Sequence, residues 1–295
     1  NATGSFMGTI KGDGPLGGWG QQGATIDAGN GYPIFSAENC DLGIVFENLV
    51  LKNGLNEPLT PAGGMYLSDC NGIEINYCSI EQCRAAPLNS VAGGMYIGGG
   101  ENIFISNCRF KLNESGGGGA MVLDTCTNIG IIDSLFTQNL AVFTPPNTQG
   151  SGGAINSTNS DFNVIGCTFD GNGSGRSGGA VSVFTGATFT NLVTFSSSTE
   201  SKCLFTNNGA TLSGGAVHMV GPMVTEIGDC AFSGNHCDST DPETGATGGG
   251  GGGAVWCQGS EQGWFNGTFN GCTFANNVNH LGPGGALAIG GVSDV

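Results

Sequence analysis

Short runs in which apolar and polar residues alternate recur along the whole chain. In "CTF", Cys167 and Phe169 lie two positions apart, and in "GGAVSVF" Val181 and Val183 have the same spacing. Residues at positions i and i+2 share one face of a β-strand. No window of useful length has the apolar stripe of 3.6-residue period that an amphipathic helix requires. The pattern therefore predicts many short strands and few helices.

The first recurring unit has a cysteine two residues before an apolar residue and five residues before an asparagine. Clear copies are Cys108/Phe110/Asn113, Cys167/Phe169/Asn172, Cys203/Phe205/Asn208, Cys230/Phe232/Asn235 and Cys272/Phe274/Asn277. Degenerate copies are Asn48/Val50/Asn53, Cys78/Ile80/Cys83 and Ser134/Phe136/Asn139. Their average spacing of roughly 32 residues is typical of solenoid repeats.

The second recurring unit is a glycine pair followed by Ala or Met and an apolar residue. The pairs begin at Gly63, Gly93, Gly118, Gly152, Gly178, Gly214, Gly252 and Gly284. In five cases the stretch from the second glycine of a pair to the next motif position is 14 or 15 residues long, whereas the return stretch varies much more and contains inserts such as "LAVFTPPNTQGS". Such inserts are typical of loops. A constant half and a variable half indicate a solenoid with loops on one side.

Short strands and one repeat per turn predict an all-β fold, a single-stranded parallel β-helix of about 8–10 coils stacked about 4.8 Å apart. We assign residues 24–295 to this β-helix. Residues 1–23 are the only non-repetitive segment. They are interpreted as an N-terminal cap or as a segment that reaches into a neighbouring subunit.

In this fold the first unit has a physical explanation. Cysteine and phenylalanine would point inward and stack as ladders, since a free thiol behaves as a small buried hydrophobe. Asparagine would lie at the turn, because it tolerates the left-handed conformation, and stacked amides hydrogen-bond between coils. The predicted core ladder is Cys78, Cys108, Cys167, Cys203, Cys230, Cys272, Phe110, Phe136, Phe169, Phe205, Phe232 and Phe274. The predicted turn asparagines are Asn53, Asn113, Asn139, Asn172, Asn208, Asn235 and Asn277.

The alternation of "GGA" plus Val, Ile or Leu with "FxxN" resembles the repeats of the polymorphic outer membrane protein family. The passenger domains of that family resemble right-handed β-helices of the pectin-lyase type. The opening "ATIDAGNGYPIFSAENCDLGIVFENLVLKNG" also looks like the first coils of that group. The resemblance covers roughly residues 24–290 and implies a right-handed β-helix used in extracellular adhesion or surface display.

The net charge of the chain limits the classes of partner that it can bind. The net charge is −16, with only seven Lys and Arg residues, which disfavours binding to nucleic acid and to anionic membrane surfaces. No stretch of 18 apolar residues occurs, so no membrane insertion is predicted. Twelve cysteines in a glycine-rich, lysine-poor chain favour an extracellular or cell-surface location.

The cysteines fall into two expected groups. In-register cysteines of a parallel ladder have Cβ atoms about 4.8 Å apart, slightly too far for a disulfide, so most of the first ladder is expected to be reduced. Cys40, Cys70 and Cys126 each lie eight residues before the motif position and suggest a second register. Disulfides are expected among Cys40, Cys70, Cys83 and Cys237.

Catalytic chemistry has little support in the sequence. A pectate-lyase mechanism needs clustered carboxylates for calcium and a base, and a galacturonase mechanism needs several neighbouring aspartates. The chain has no Asp-Asp pair and no Gly-His-Gly. The basic candidates, which have no obvious acidic partner in the sequence, are Arg84, Arg109, Arg176 and Lys202. We expect no enzyme activity and no cofactor.

The remaining candidate sites are histidines and sequons. His218, His236 and His280 are isolated, and "NHCDSTDPE" around His236 is read as a solvated loop, with a metal site as the alternative. Asn-x-Ser/Thr sequons occur at Asn1, Asn156, Asn266, Asn113 and Asn172. The last two occupy the turn position, where an inward amide could not carry a glycan.

Taken together, the patterns predict a non-enzymatic, extracellular structural or adhesive protein. The first hypothesis is a subunit of a surface fibre that self-associates end to end, because head-to-tail contacts generate open filaments. A monomeric adhesin or carbohydrate-binding module, with surface glycans or host cell-surface proteins as partners, is the alternative. A polysaccharide lyase or hydrolase is the third.

Overall fold

Each repeat pairs in parallel with the repeat before it and the repeat after it. Phe110 pairs with Ile80 on one side and with Phe136 on the other, and Phe136 pairs in turn with Phe169. The computed structural model describes residues 8–13, 23–41, 43–56, 61–85, 92–143, 150–186, 188–247, 250–260 and 264–290. Within these ranges the regular structure consists of strands arranged in four parallel sheets.

Three long sheets and one short sheet make up the structure. Sheet A contains Gly8–Lys11, Ile44–Glu47, Glu74–Asn76, Glu101–Ser106, Thr127–Ile132, Phe162–Ile165, Asn191–Ser196, Met223–Gly228 and Phe265–Asn270. Sheet B contains Ala24–Asp27, Leu49–Lys52, Ser79–Glu81, Arg109–Lys111, Leu135–Thr137, Thr168–Asp170, Leu204–Thr206, Ala231–Ser233 and Thr273–Ala275. Sheet C contains Phe35–Glu38, Met65–Ser68, Met95–Gly98, Met121–Asp124, Ile155–Thr158, Val181–Phe184, Val217–Val220, Val255–Gln258 and Leu287–Gly290. The short sheet D contains Glu114–Ser115, Leu140–Ala141, Gly173–Ser174, Gly209–Ala210, His236–Cys237 and Val278–Asn279.

One coil passes through the sheets in the order A, B, D and C. A single left-handed residue, such as Asn107 with φ 53°, bends the chain from sheet A to sheet B. Another, such as Gln138 with φ 56°, turns it from sheet B to sheet D. In chain order, the variable inserts that the sequence predicts as loops come before strands of sheet C.

A narrow apolar core runs along the axis of the coils. In strand Leu49–Lys52 the side chains of Leu49 and Leu51 are buried, while those of Val50 and Lys52 are half-buried on the outer face. The same alternation recurs in sheets A and C and joins all coils into one continuous cluster. These features confirm the predicted parallel β-helix, and sheet B counts nine coils in the described residues.

The glycine pairs lie just before sheet C, where the backbones of neighbouring coils leave little room for a side chain. A Cβ atom on Gly179 would lie 2.1 Å from the carbonyl oxygen of Gly215 in the next coil. Gly178 has a φ of 66°, a left-handed conformation that side chains with a Cβ rarely adopt. The pair therefore combines a turn and a close backbone contact in two successive residues.

The N-terminal segment contributes to the β-helix. Strand Gly8–Lys11 pairs with Ile44–Glu47 in sheet A, so this part of the predicted cap belongs to the first coil. Residues 1–7 and 14–22, which make up most of the predicted cap or inter-subunit segment, lie outside the described residues.

Candidate functional site

Cysteines at the bend between sheets A and B make hydrogen bonds as well as filling the core. The thiol of Cys108 is buried and donates to the carbonyl oxygen of Ser106 at 3.2 Å. Its sulfur accepts a hydrogen bond from the N–H of Cys78 at 3.4 Å. Ser134 occupies the equivalent position in the next coil and accepts from the N–H of Cys108 at 3.1 Å. Cysteine and serine therefore serve the same purpose, because each is a small group that both donates and accepts beside a left-handed bend.

Phenylalanines of sheet B form a continuous stack beside these cysteines. The ring centroids of Phe110 and Phe136 are 4.7 Å apart with an interplanar angle of 2°, and those of Phe136 and Phe169 are 4.9 Å apart. The stack continues through Phe205, Phe232 and Phe274. Cys272 and Phe274 lie in the last described coil and are only partly buried.

Burial favours the protonated form of several thiols, whereas hydrogen bonds with Cys108 and Cys230 lower the pKa of the Cys78 and Cys203 thiols. Burial raises the pKa of the Cys83 and Cys257 thiols to about 12. Burial also raises the pKa of the Cys108 and Cys167 thiols well above the usual value. Because the thiolate is the reactive form of cysteine, these side chains are unreactive while the chain is folded.

All twelve cysteines are unbridged, so the disulfides expected among Cys40, Cys70, Cys83 and Cys237 are absent from the structure. Cys83 and Cys237 lie five coils apart, about 24 Å at the usual strand spacing, which no disulfide spans. Cys40 and Cys70 lie in register in adjacent coils and remain two separate thiols. The correction has a geometric cause: in-register neighbours keep their Cβ atoms about 4.8 Å apart, slightly too far for a disulfide, and cysteines in more distant coils lie farther apart still.

Asparagine side chains form a hydrogen-bonded column at the corner between sheets B and D. Nδ2 of Asn139 donates to Oδ1 of Asn172 at 2.9 Å and to the carbonyl oxygen of Phe110 at 3.0 Å. The backbone N–H of Asn139 donates to the same Oδ1 at 3.0 Å. The other members of the column are Asn113, Asn208, Asn235 and Asn277.

The left-handed residue of this corner is the one before each ladder asparagine, which corrects the expected role of the asparagine. Gln138 and Asn207 have φ values of 56° and 53°, whereas Asn139 and Asn208 are not left-handed. The ladder asparagine is required for its inward amide, which satisfies backbone groups of the neighbouring coils.

The first degenerate copy of the repeat is displaced by one residue. Strand pairing aligns Leu51, rather than Val50, with Ile80. Asn53 is accordingly the left-handed residue, with φ 55°, and its Nδ2 donates to Oδ1 of Asp27 at 2.9 Å on the outside of the coil. Asn53 is therefore not a member of the asparagine column, and Gly54 occupies that place.

Three of the four basic candidates have acidic partners, contrary to the sequence-based expectation. The Arg109 guanidinium contacts Glu81 in the preceding coil and donates from Nε to Oγ of Ser79 at 3.1 Å. Burial opposes the ionisation of Glu81, but hydrogen bonds from Ser79 and Arg109 outweigh it and lower the pKa of this carboxyl. Arg84 lies 3.8 Å from Glu114, and Arg176 lies 3.3 Å from Glu243.

His218 lies on the outer face of sheet C, in surroundings that the sequence does not reveal. Nδ1 of His218 lies 3.5 Å from Oγ of Ser182 on sheet C, and burial followed by the charge of Arg176 lowers the pKa of His218 to about 4. Among the described residues no carboxylate hydrogen-bonds to His218, so the pair lacks the acidic group of a catalytic triad.

The alternation of strand His236–Cys237 separates the ligands of the hypothetical metal site. His236 is exposed and its ring lies over Gly209, whereas Cys237 is buried. In the described part of the chain no three His, Cys, Asp or Glu side chains converge on one point. His280 is exposed.

The five sequons differ in accessibility. Asn113 and Asn172 are buried in the asparagine column and cannot carry a glycan in the folded chain. Asn266 is exposed and Asn156 is half-buried. Asn1 lies outside the described residues.

A groove of about 340 Å³ follows the outside of the corner between sheets B and D. We call it the amide groove. Its lining residues are Asn30, Asn53, Gln82, Arg84, Leu112, Asn113, Glu114, Gln138 and Leu140. One wall consists of left-handed turn residues from five successive coils, and the other of residues at the start of sheet D. A second hollow of about 430 Å³ extends from Leu140 towards Asn207 and His236.

The sequence carries only a weak signal for the amide groove, because the residues that line it stand beside the repeated asparagine and vary from coil to coil. The only signal is that Gln82, Gln138, Asn207 and Asn276, each immediately before a motif position, are also amides. The left-handed turn directs these side chains outward, away from the core.

Comparison with known proteins shows which protein family has this architecture. A family model described as a right-handed β-helix region matches residues 18–194, more than half of the chain. The chain belongs to the right-handed β-helix family. A second model, the Chlamydia polymorphic membrane protein repeat, matches residues 202–219 of this β-helix. That stretch contains Cys203, Phe205 and Asn208 together with the glycine pair Gly214–Gly215, so it corresponds to one rung of the ladder.

Two solved structures resemble the β-helix at low sequence identity. One is a pectate lyase from Bacillus sp. N165 in complex with trigalacturonate, with 16% identity, a TM-score of 0.44 and coverage of 89% of this chain and 88% of the other. The other is PfbA, a surface adhesin of Streptococcus pneumoniae, with 10% identity, a TM-score of 0.32 and coverage of 84% and 72%. No curated protein matches the chain significantly. The described residues include no helix able to cross a bilayer.

Proposed function

We propose that this β-helix is an extracellular, surface-displayed adhesive scaffold. One observation carries the proposal: the residues that repeat from coil to coil face inward, and the residues that differ face outward. Cys167, Phe169 and Asn172 are all buried and are engaged by the same positions of neighbouring coils. The repeated chemistry therefore maintains the rod, and recognition is left to the outer corners.

The position of the variable segments supports a binding role. Inserts of different length and composition precede strands of sheet C in several coils, so a rigid rod holds the described residues that flank them on the same side. Binding residues on loops that a rigid scaffold positions are a common arrangement in proteins. The match to a polymorphic membrane protein repeat is consistent with surface display.

Adhesion is tested by measuring attachment of fluorescent beads coated with the whole chain to a panel of cultured cells. A variant in which residues 144–149 are replaced by a short Gly-Ser linker removes one insert and leaves the ladder residues in place. We expect the wild-type protein to retain beads and the variant to retain fewer. If beads coated with an unrelated acidic protein attach to the cells as well as beads coated with the wild-type protein do, the proposed adhesive function is wrong.

Our proposal includes no catalytic step. Arg84 and Arg109 are each engaged by a glutamate, which supports a structural use of these cations. Polygalacturonate incubated with the protein, with and without calcium, is expected to yield no unsaturated or hydrolysed product. Release of product that depends on Arg109 would overturn this part of the proposal.

End-to-end self-association is the further part of the proposal. In the last described coil, strands Phe265–Asn270, Thr273–Ala275 and Leu287–Gly290 each pair on one side only. Half-exposed Phe274 is the last stacked ring among the described residues, and a coil of a second molecule placed on it would extend the row of rings. Negative-stain microscopy at high concentration should show fibres that a Phe274→Asp variant does not form. Isolated short rods in the wild-type sample would exclude filament assembly.

A further inference from the structure

Three amide side chains of the amide groove have no hydrogen-bond partner among the described residues. The side chains of Asn30, Gln82 and Gln138 are exposed and make no hydrogen bond to any described residue, while Asn53 uses only Nδ2, on Asp27. Each carboxamide supplies two donors and an acceptor with two lone pairs. The groove therefore presents a row of unused donors and acceptors to a ligand.

The spacing of this row follows the coils. Asn53, Gln82, Leu112 and Gln138 occupy the same left-handed turn position in four successive coils, and left-handed Asn30 lies in the coil before them. At about 4.8 Å per coil the row extends about 19 Å along the rod. A ligand that uses the whole row must be elongated and must offer polar groups at regular intervals.

Two leucines add apolar surface between the amides. Leu112 and Leu140 are exposed to 41% and 42% and lie on opposite walls of the amide groove. Apolar surface combined with a few convergent polar groups is typical of small-molecule sites, whose usual volume of about 300–1,000 Å³ includes that of this groove. Sugar rings match this combination, since they have C–H faces as well as hydroxyl edges.

The charge of the groove favours an uncharged ligand. Its two ionic side chains, Arg84 and Glu114, lie 3.8 Å apart and balance each other. The net charge of the whole chain is −16, which repels anionic ligands at long range. The amide groove therefore offers no excess positive charge that would bind an acidic polysaccharide.

We propose that the amide groove binds a neutral oligosaccharide along the axis of the rod. Gln82, Gln138 and Asn30 hydrogen-bond to its hydroxyl groups, and Leu112 and Leu140 contact its C–H faces. The second hollow beyond Leu140 extends the same path for a longer chain. This inference rests on the proposed adhesive function and names the class of ligand that the adhesin recognises.

The test uses the whole chain on an array of immobilised neutral hexose and N-acetylhexosamine tetrasaccharides, with tetragalacturonate as the anionic comparison. The test variant is Gln82→Gly combined with Gln138→Gly. Both positions are left-handed and glycine occupies this turn at Gly171 and Gly234, so the fold should be retained. The matched control is Asn276→Gly, which removes an amide from the same turn position outside the groove.

We expect binding to at least one neutral tetrasaccharide, weakened roughly tenfold in the double variant and unchanged in the control. Absence of binding to every neutral tetrasaccharide, equal binding by the double variant, or a preference for tetragalacturonate would each overturn the inference. Bead adhesion separates this result from the adhesive function. If the double variant still adheres to cells as the wild type does, the adhesive function stands and the groove assignment fails.

Discussion

Nδ2 of Asn172 donates to Oδ1 of Asn208 in the next coil at 3.0 Å, and the Oδ1 of Asn172 accepts from Asn139 in the coil before. Each asparagine of the column thus depends on both neighbours. The column satisfies buried backbone groups at every coil, including the carbonyl oxygen of Phe136, 3.0 Å from Nδ2 of Asn172.

Substitution of Asn172 by alanine should lower the free energy of unfolding by about 3 kcal/mol, because it leaves buried donors and an acceptor unpaired. Urea denaturation followed by circular dichroism measures this change. The control is Asn270→Ala on an exposed strand position, which should change stability by less than about 0.5 kcal/mol. Equal effects of the two substitutions would show that the column contributes little.

The close contact between coils can be tested at Gly179. An alanine there would place its Cβ against the Gly215 carbonyl oxygen, and overpacking against backbone should cost about 3 kcal/mol or more. Gly228→Ala is the matched control, because a Cβ at Gly228 has no heavy atom within 4 Å. The control should be neutral or slightly stabilising. Unfolding free energies of both variants check the expectation.

Thiol reactivity should report the folded state. Only Cys40 and Cys272 are partly exposed, and the other cysteines are buried. A colorimetric thiol reagent should therefore react rapidly with at most two thiols in the native protein and with all twelve in denaturant under non-reducing conditions. Fewer than twelve reactive thiols in denaturant would reveal disulfides and contradict the unbridged arrangement.

His218 should make stability depend on pH. Burial and Arg176 lower its pKa to about 4, so the unfolded chain binds the proton more readily than the folded chain. The contribution of His218 to the free energy of unfolding is therefore fully present above the ordinary pKa of 6.5. About 3 kcal/mol of it is lost as the pH falls towards 4.

A His218→Gln variant separates this contribution from the carboxylates, which titrate in both proteins. The difference in unfolding free energy between variant and wild type should shift in favour of the variant as the pH falls from 7 to 4. A difference that does not vary with pH would contradict the lowered pKa.

Much of the fold follows from the repeat itself. The two-residue period of "CTF" and "GGAVSVF" predicts which side chains face inward, and the repeat length predicts that Phe110, Phe136 and Phe169 meet. The register of residues 48–54 is harder, because Leu51 and Val50 are both apolar and either could start the pattern. Pairing with Ile80 decides between them.

The sequence by itself determined the parallel β-helix and its inward ladders, because these follow from alternation and repetition within one chain. Only the tertiary structure revealed the Arg109–Glu81 pair, the surroundings of His218 and the amide groove. The reason is that coil stacking brings residues about thirty positions apart to within about 4.8 Å of each other. Which outer side chains then meet depends on a register that no local pattern encodes.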